Sequence, residues 1–192
     1  MTAGLAAARA AGVEMAARHA DDVDARARFP REAFATLKEQ KLLGLLVPVR
    51  DGGAGASLAD VVSVCHALGQ ACASTAMIYA MHQIQVWCMV RHGADSAWHR
   101  AFLKRLASEQ LLMASATSEA GIGGDVRSSI CAVEEKDGRF AFEKQATVIS
   151  YGADADGIMA TARRTPQSPA SDQVIVVLPK SSYRLEIGRA HV

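Results

Sequence analysis

"LLMASATSEAGIGGDV", residues 111–126, decides how the chain is read. Upstream of it hydrophobic residues recur at helical spacing, and downstream they alternate or gather in short runs. Within the stretch, "LLMASAT" predicts a strand. The glycines and small residues that follow predict a loop whose backbone a phosphate can approach closely. A dinucleotide-binding turn needs G-x-G-x-x-G between a strand and a helix. Gly121-Ile122-Gly123 would require glycine where Val126 stands, and Gly53-Ala54-Gly55 would require it where Leu58 stands. Both fail, which leaves another kind of cofactor loop or a plain turn between strands.

On the N-terminal side, Leu5, Ala8, Ala16, Ala20 and Val23 recur at helical spacing. In "FPREAFATLKEQKLLG" Pro30 starts a helix, Ala33, Phe34 and Leu37 form its apolar face, and Gly44 stops it. "LLVPV" reads as extended and "RDGGAGA" as a loose loop. Ser57 with Asp60 three residues later predicts a capping box for a helix that buries Val61, Val64, Cys65 and Leu68. Ser74 or Thr75 caps the next helix, which stops at Gly93, and Asp95 caps a fifth.

After Gln110 the period changes. "SSICAVEEKDGRFAFEK" predicts a hairpin turning at Asp137-Gly138, with Phe140 and Phe142 on its buried face. "ATVIS", "GIMATARR" and "QVIVVLP" predict three more strands, with Arg163 and Arg164 as a solvated strand end. The order predicts an α+β fold: an N-terminal all-α helical domain (residues 1–110) followed by a small antiparallel β-barrel-like domain (111–185). The tail "EIGRAHV", 186–192, reads like the translation of a common sequencing adapter. We therefore expect the natural protein to continue beyond Leu185.

Of the 192 residues, 50% are hydrophobic and 21% charged, enough apolar content for a buried core and against disorder. The net charge of +1 gives no pull toward nucleic acid or an anionic membrane. The Ala- and Arg-rich N-terminus carries Glu14, Asp21, Asp22 and Asp24, which argues against a transit peptide. The apolar run Leu42–Val49 is too short to span a bilayer, so a soluble, cytoplasmic protein is expected. Cys65, Cys72, Cys88 and Cys131 form no CxxC pair and read as reduced core thiols. The histidines form no ligand set, so no metal is expected, and no G-x-S-x-G elbow occurs.

The ordered segments "FPREAFATLKEQKLLGLLVPVRDGGAGASLADVVSVCHALGQACASTA", "RHG" and "AFLKRLASEQLLMASATSEAGIGGDV" resemble the acyl-CoA dehydrogenase family across Phe29–Leu178. That family has a helical domain with a P-x-x-x-G-G loop and an A-x-A-S-T-A helix junction. It then enters a β domain through a motif usually written T-E-P-x-A-G-S-D.

The resemblance implies FAD, with the segment Ser115–Gly124 along the flavin and Thr117 within it. Ser118 takes the place of the threonine that bonds the pyrimidine edge of the ring. Gly123 and Gly124 take the place of the residues beside the pyrophosphate, and Gly124 also borders substrate. "VIS", Val148-Ile149-Ser150, matches the W-I-T or W-I-S element whose hydroxyl lies on flavin N5. Ser150 would then favour a reduced, anionic flavin. Met77, Met81 and Met89 fall on one helix, and Met81 is the residue implied at the acyl end of the pocket; a Met-rich core helix is the plainer account.

Three departures from the family pattern stand out. Ala120 replaces proline, Gly124 replaces serine, and Val148 replaces an aromatic residue at a longer spacing from Lys144. The glutamate that serves as the family's base belongs to a C-terminal helical bundle with no counterpart in these residues, so no catalytic residue is assigned and Glu119 reads as structural.

The resemblance implies α,β-dehydrogenation of an acyl-CoA thioester, an electron-transfer flavoprotein as acceptor, and a homo-oligomer. The 192 residues alone are expected to be inactive and to bind FAD weakly. A flavin-dependent monooxygenase of the same superfamily is the alternative enzyme. A non-catalytic scaffold that binds acyl-CoA or a partner is the alternative outside catalysis.

Overall fold

The computed structural model describes residues 3–188, so the end of the suspect tail lies outside the described residues. The chain divides after Leu112 into two compact units.

The first unit is helical: α1 (Ala3–Ala25), α2 (Arg31–Glu39), α3 (Leu58–Ala71), α4 (Ala73–His92) and α5 (Ala97–Glu109). α1 packs on α2 and α3, and α3 packs on α4. α2 buries Ala33, Phe34 and Leu37, the face its spacing predicts. The capping box at α3 is present: Ser57 Oγ accepts from Asp60 N–H (3.2 Å), and Asp60 Oδ2 accepts from Ser57 N–H (3.1 Å).

Two other caps differ from expectation. α4 begins at Ala73 behind an extended Cys72 with no side-chain cap, one residue ahead of Ser74. α5 is capped by Ser96 rather than Asp95, because it is the Ser96 hydroxyl that accepts from His99 N–H (3.3 Å).

"LLVPV" (45–49) is not extended but, with Leu42 and Leu43 before it, winds through tight turns in which Leu42, Leu43, Leu45, Leu46 and Val47 are all buried. Buried carbonyls without a strand ladder need other partners. α4 supplies them: Tyr79 Oη donates to Leu42 O (3.0 Å), Gln83 Nε2 donates to Leu42 O (2.9 Å), and His82 Nε2 lies 2.9 Å from Leu43 O. Gln110 Oε1 accepts from Leu43 N–H at 2.9 Å. α3 and α4 also frame an open groove of about 570 Å³, lined by apolar side chains with Gln83, His66, Cys65 and Cys88 among them.

The second unit holds β1 (Met113–Ala116), β2 (Glu134–Lys136), β3 (Arg139–Ala141), β4 (Gly157–Arg163) and β5 (Gln173–Pro179). The α+β class holds, with a difference inside the sheet. Its order is β1-β4-β5, with β1 parallel to β4 (Met113 opposite Gly157) and β5 antiparallel to β4 (Gly157 opposite Pro179). The sheet is therefore mixed rather than antiparallel, and no closed barrel forms among the described residues. The parallel pair follows from the long crossover between β1 and β4, which a hairpin cannot provide.

β2 and β3 form the expected hairpin, and Asp137 (φ 52°) and Gly138 (φ 69°) supply the two positive φ values of its turn. Phe140 is 78% exposed, against expectation, because every residue of this two-stranded hairpin faces solvent. Phe142 does pack, against the cluster of Ala114, Ala116, Ala155, Ile158 and Ala160. "ATVIS" is not a strand, since no partner ladder reaches it.

Candidate functional site

β1 buries Ala114 and Ala116 on one face; on the other, Met113 is buried and Ser115 is only partly so. Beyond Ala116 the chain leaves the sheet as the loop that carries most of the predicted site. Its first anchor is Ser118. The hydroxyl donates to Val148 O (2.8 Å) and accepts from Val148 N–H (3.3 Å), so the two predicted motifs lie side by side. Ala120 N–H adds a bond to Gln145 O (2.9 Å).

At the other end of β1, Tyr151 Oη donates to Met113 O (2.9 Å), and burial pushes the Tyr151 phenol well above its ordinary range. Val148–Tyr151 thus runs along β1, held at Ser118 and at Met113. Ile149 packs on the alanine-rich cluster, Val148 is exposed, and Ser150 is half-buried. An open cavity of about 410 Å³ borders the same cluster, lined by Ala116, Phe142, Ile149, Ile158, Ala160 and Leu178 among others.

The glycines follow. Gly123 (φ 59°) and Gly124 (φ 88°) take left-handed conformations that side chains resist, and a Cβ built on either would meet nothing within 4 Å. Their N–H groups have no acceptor among the described residues, and neither do the hydroxyls of Ser115, Thr117 and Ser150 have a partner there. Asp125, the nearest acid, spends its carboxylate on Arg127 N–H (3.1 Å) and Ser128 Oγ (2.8 Å). Those bonds hold its pKa below the ordinary value, Ser128 first. Open N–H groups and unpartnered hydroxyls on one loop suit an anionic, hydrogen-bonding cofactor. Ser118 is the exception, because its donor is already used by Val148.

Glu119 is buried, as a structural residue would be. Its carboxylate accepts from Ile130 N–H (3.0 Å) and Cys131 N–H (2.6 Å) and pairs with Lys144 Nζ (3.1 Å). Burial pushes its pKa up, but the two backbone bonds and the ammonium outweigh that and leave it lowered. Lys144 Nζ also donates to Thr161 O on β4 (2.9 Å) and lies 3.7 Å from Cys131 Sγ. Burial raises the Cys131 thiol to about 11 despite the nearby ammonium.

Lys144, Tyr151 and Cys131 were not singled out by sequence as members of this cluster. Lys144 did carry a signal: it continues the period-two series of Phe142, so an inward face was legible there, but its partner was not. Met81 lies on α4 in the helical unit, half-buried, and is not among the residues lining that unit's groove; Met77 is 63% exposed and Met89 buried.

The family model for the acyl-CoA dehydrogenase N-terminal domain matches residues 3–110. Cyclohex-1-ene-1-carbonyl-CoA dehydrogenase of Geobacter metallireducens is 26% identical over 169 residues, which is 88% of this chain and 44% of that protein. Among solved structures, an acyl-CoA dehydrogenase from Geobacillus kaustophilus superposes with a TM-score of 0.78 at 22% identity, covering 94% of this chain and 49% of that one. Dibenzothiophene monooxygenase TdsC from Paenibacillus, with FMN bound, superposes with a TM-score of 0.74 at 21% identity, covering 90% and 44%. The chain spans less than half the length of these proteins. With more than half of its residues matched by that family model, the chain belongs to the acyl-CoA dehydrogenase family.

Proposed function

We propose that the loop Ser115–Gly124 and the segment Val148–Ser150 hold FAD, and that the protein dehydrogenates an acyl-CoA thioester between its α and β carbons. The observation that carries this is the pair of open, unpartnered N–H groups at Gly123 and Gly124, on the same loop whose Ser118 is bonded to Val148. The two glycines would receive the pyrophosphate, where a missing Cβ lets N–H groups approach anionic oxygens. Thr117 and Ser115 offer hydroxyls toward the ring, and Ser150 offers a donor that favours the reduced form. A flavin held there would supply the acceptor for the hydride of the β carbon. The Glu119 carboxylate is committed to Lys144 and two N–H groups and takes no proton from substrate.

Electron transfer to an electron-transfer flavoprotein, homo-oligomeric assembly and a cytoplasmic location belong to the same proposal. The monooxygenase alternative draws on two departures, the missing hydroxyl at Gly124 and the exposed aliphatic Val148.

Titration of the purified chain with FAD and with FMN, followed by flavin fluorescence, tests the cofactor. Preferential quenching of FAD is expected, and no quenching of either flavin rejects the site. In the full-length protein, anaerobic acyl-CoA should bleach the flavin; no bleaching at any chain length favours the monooxygenase.

A further inference from the structure

We propose that the Glu119–Lys144 ion pair is a positioning clamp that closes the base of the glycine loop and fixes the loop against the central strand β4. Taking the ligand to be a flavin rests on the function proposed above; the clamp itself rests on geometry alone.

Every hydrogen bond within residues 121–128 is local. Ile122 N–H reaches back to Glu119 O (3.5 Å), Asp125 N–H to Ile122 O (3.0 Å), and Ser128 N–H to Asp125 O (3.1 Å). The loop therefore has no internal tie to the sheet, and its placement depends on its two ends. Glu119 joins those ends. It leaves β1 at one side of the loop and accepts the N–H groups of Ile130 and Cys131 at the other. The result is a compact loop whose two ends are drawn together by one carboxylate. Its C-terminal end is tied to β4 and the β4–β5 loop as well, by Ser129 N–H to Ala170 O (3.0 Å) and by Arg163 to Ile130 O (3.1 Å) and Cys131 O (2.9 Å), but those bonds do not reach the Glu119 end.

Lys144 then carries that closed base onto β4 through Thr161 O (2.9 Å). Both side chains are nearly buried, with 5% of Lys144 and 4% of Glu119 exposed, so water does not compete for the pair. The neighbours of Glu119 repeat the pattern: Ser118 and Ala120 each bond the segment Gln145–Val148, which follows directly on Lys144. An apolar pair of equal volume would fill the same space but would not accept the two N–H groups that close the loop. The direction of the Gly123 and Gly124 N–H groups is thus set from behind, by residues that need not touch a ligand.

The test is amide hydrogen exchange on the 192-residue chain, run beside FAD titration, for Lys144→Met, Glu119→Gln, the double variant and Lys144→Arg. Exchange in residues 120–128 should rise by about tenfold in the Met and Gln single variants, with α1–α5 unchanged. FAD affinity should fall by about tenfold in the same two variants and recover in part with Lys144→Arg. The double variant leaves no unpaired charge behind, so it keeps the experiment decisive if a single variant fails to fold. Unchanged loop exchange in the folded variants overturns the clamp. Faster exchange with unchanged FAD affinity overturns its positioning role. If the unsubstituted chain binds no FAD, the cofactor proposal falls, and loop exchange alone decides the clamp.

Discussion

The chain has two glycine-rich loops, and they use glycine for opposite purposes. In the helical unit, each N–H from Gly52 to Ala56 donates to a backbone carbonyl between Gly44 and Val49, such as Gly55 to Val47 O at 2.8 Å and Ala56 to Leu45 O at 3.0 Å. A Cβ on Gly53 would run into the carbonyl and side chain of Val47. Glycine there makes room for the protein's own backbone. In the β unit, Gly123 and Gly124 face open space and leave their N–H groups unused. The sequences look alike, "DGGAGA" and "AGIGGD", but one loop is closed on itself and the other is left open.

The largest expected effect breaks the open loop at its base. Lys144→Met strands a buried carboxylate and should cost about 3–5 kcal/mol, read by denaturant unfolding of the β unit. The pH dependence follows from the same group. The Glu119 pKa is depressed in the fold, so its stabilisation is complete above its ordinary value of 4.5 and is lost as the pH falls below that toward the folded value. An acid titration of unfolding should show a larger loss in the unsubstituted protein than in Glu119→Gln, which keeps only the contributions of other lowered carboxylates such as Asp125.

Next comes the closed loop: Gly53→Ala forces a methyl group into Val47 and should destabilise the helical unit by about 1–3 kcal/mol, read by thermal unfolding. Gly124→Ala meets no neighbour and pays only for its left-handed backbone, about 1–2 kcal/mol, while weakening flavin binding measurably. If Gly53→Ala proves harmless and Gly124→Ala does not weaken flavin binding, the contrast between the loops is wrong. The smallest effect is Ser57→Ala, at about 1 kcal/mol, because the capping box holds the exit of the closed loop at the start of α3.

Helix spacing, the capping box and the hairpin turn were legible because each depends on residues close in sequence. The adjacent caps Asp95 and Ser96 were not separable, since both side chains suit an N-cap and only geometry chooses the one that reaches His99. "ATVIS" has strong strand propensity, yet propensity makes no strand without a ladder, and its segment is held instead by Ser118 and Tyr151. The parallel match of β1 to β4 and the pairing of Glu119 with Lys144 join distant positions that no local pattern connects. For the site, the motif located the loop, while the free N–H groups of Gly123 and Gly124 and the engaged Ser118 hydroxyl required coordinates.

Both tryptophans of the chain, Trp87 under Arg91 and Trp98 stacked on Phe102, belong to the helical unit. Indole emission is therefore a thermometer for that unit alone, and melting of the strands is dark in this channel. Circular dichroism near 215 nm, a region where sheets contribute, would follow both units together. A gap between the two melting curves would measure how far the units unfold separately, with no label and no substitution.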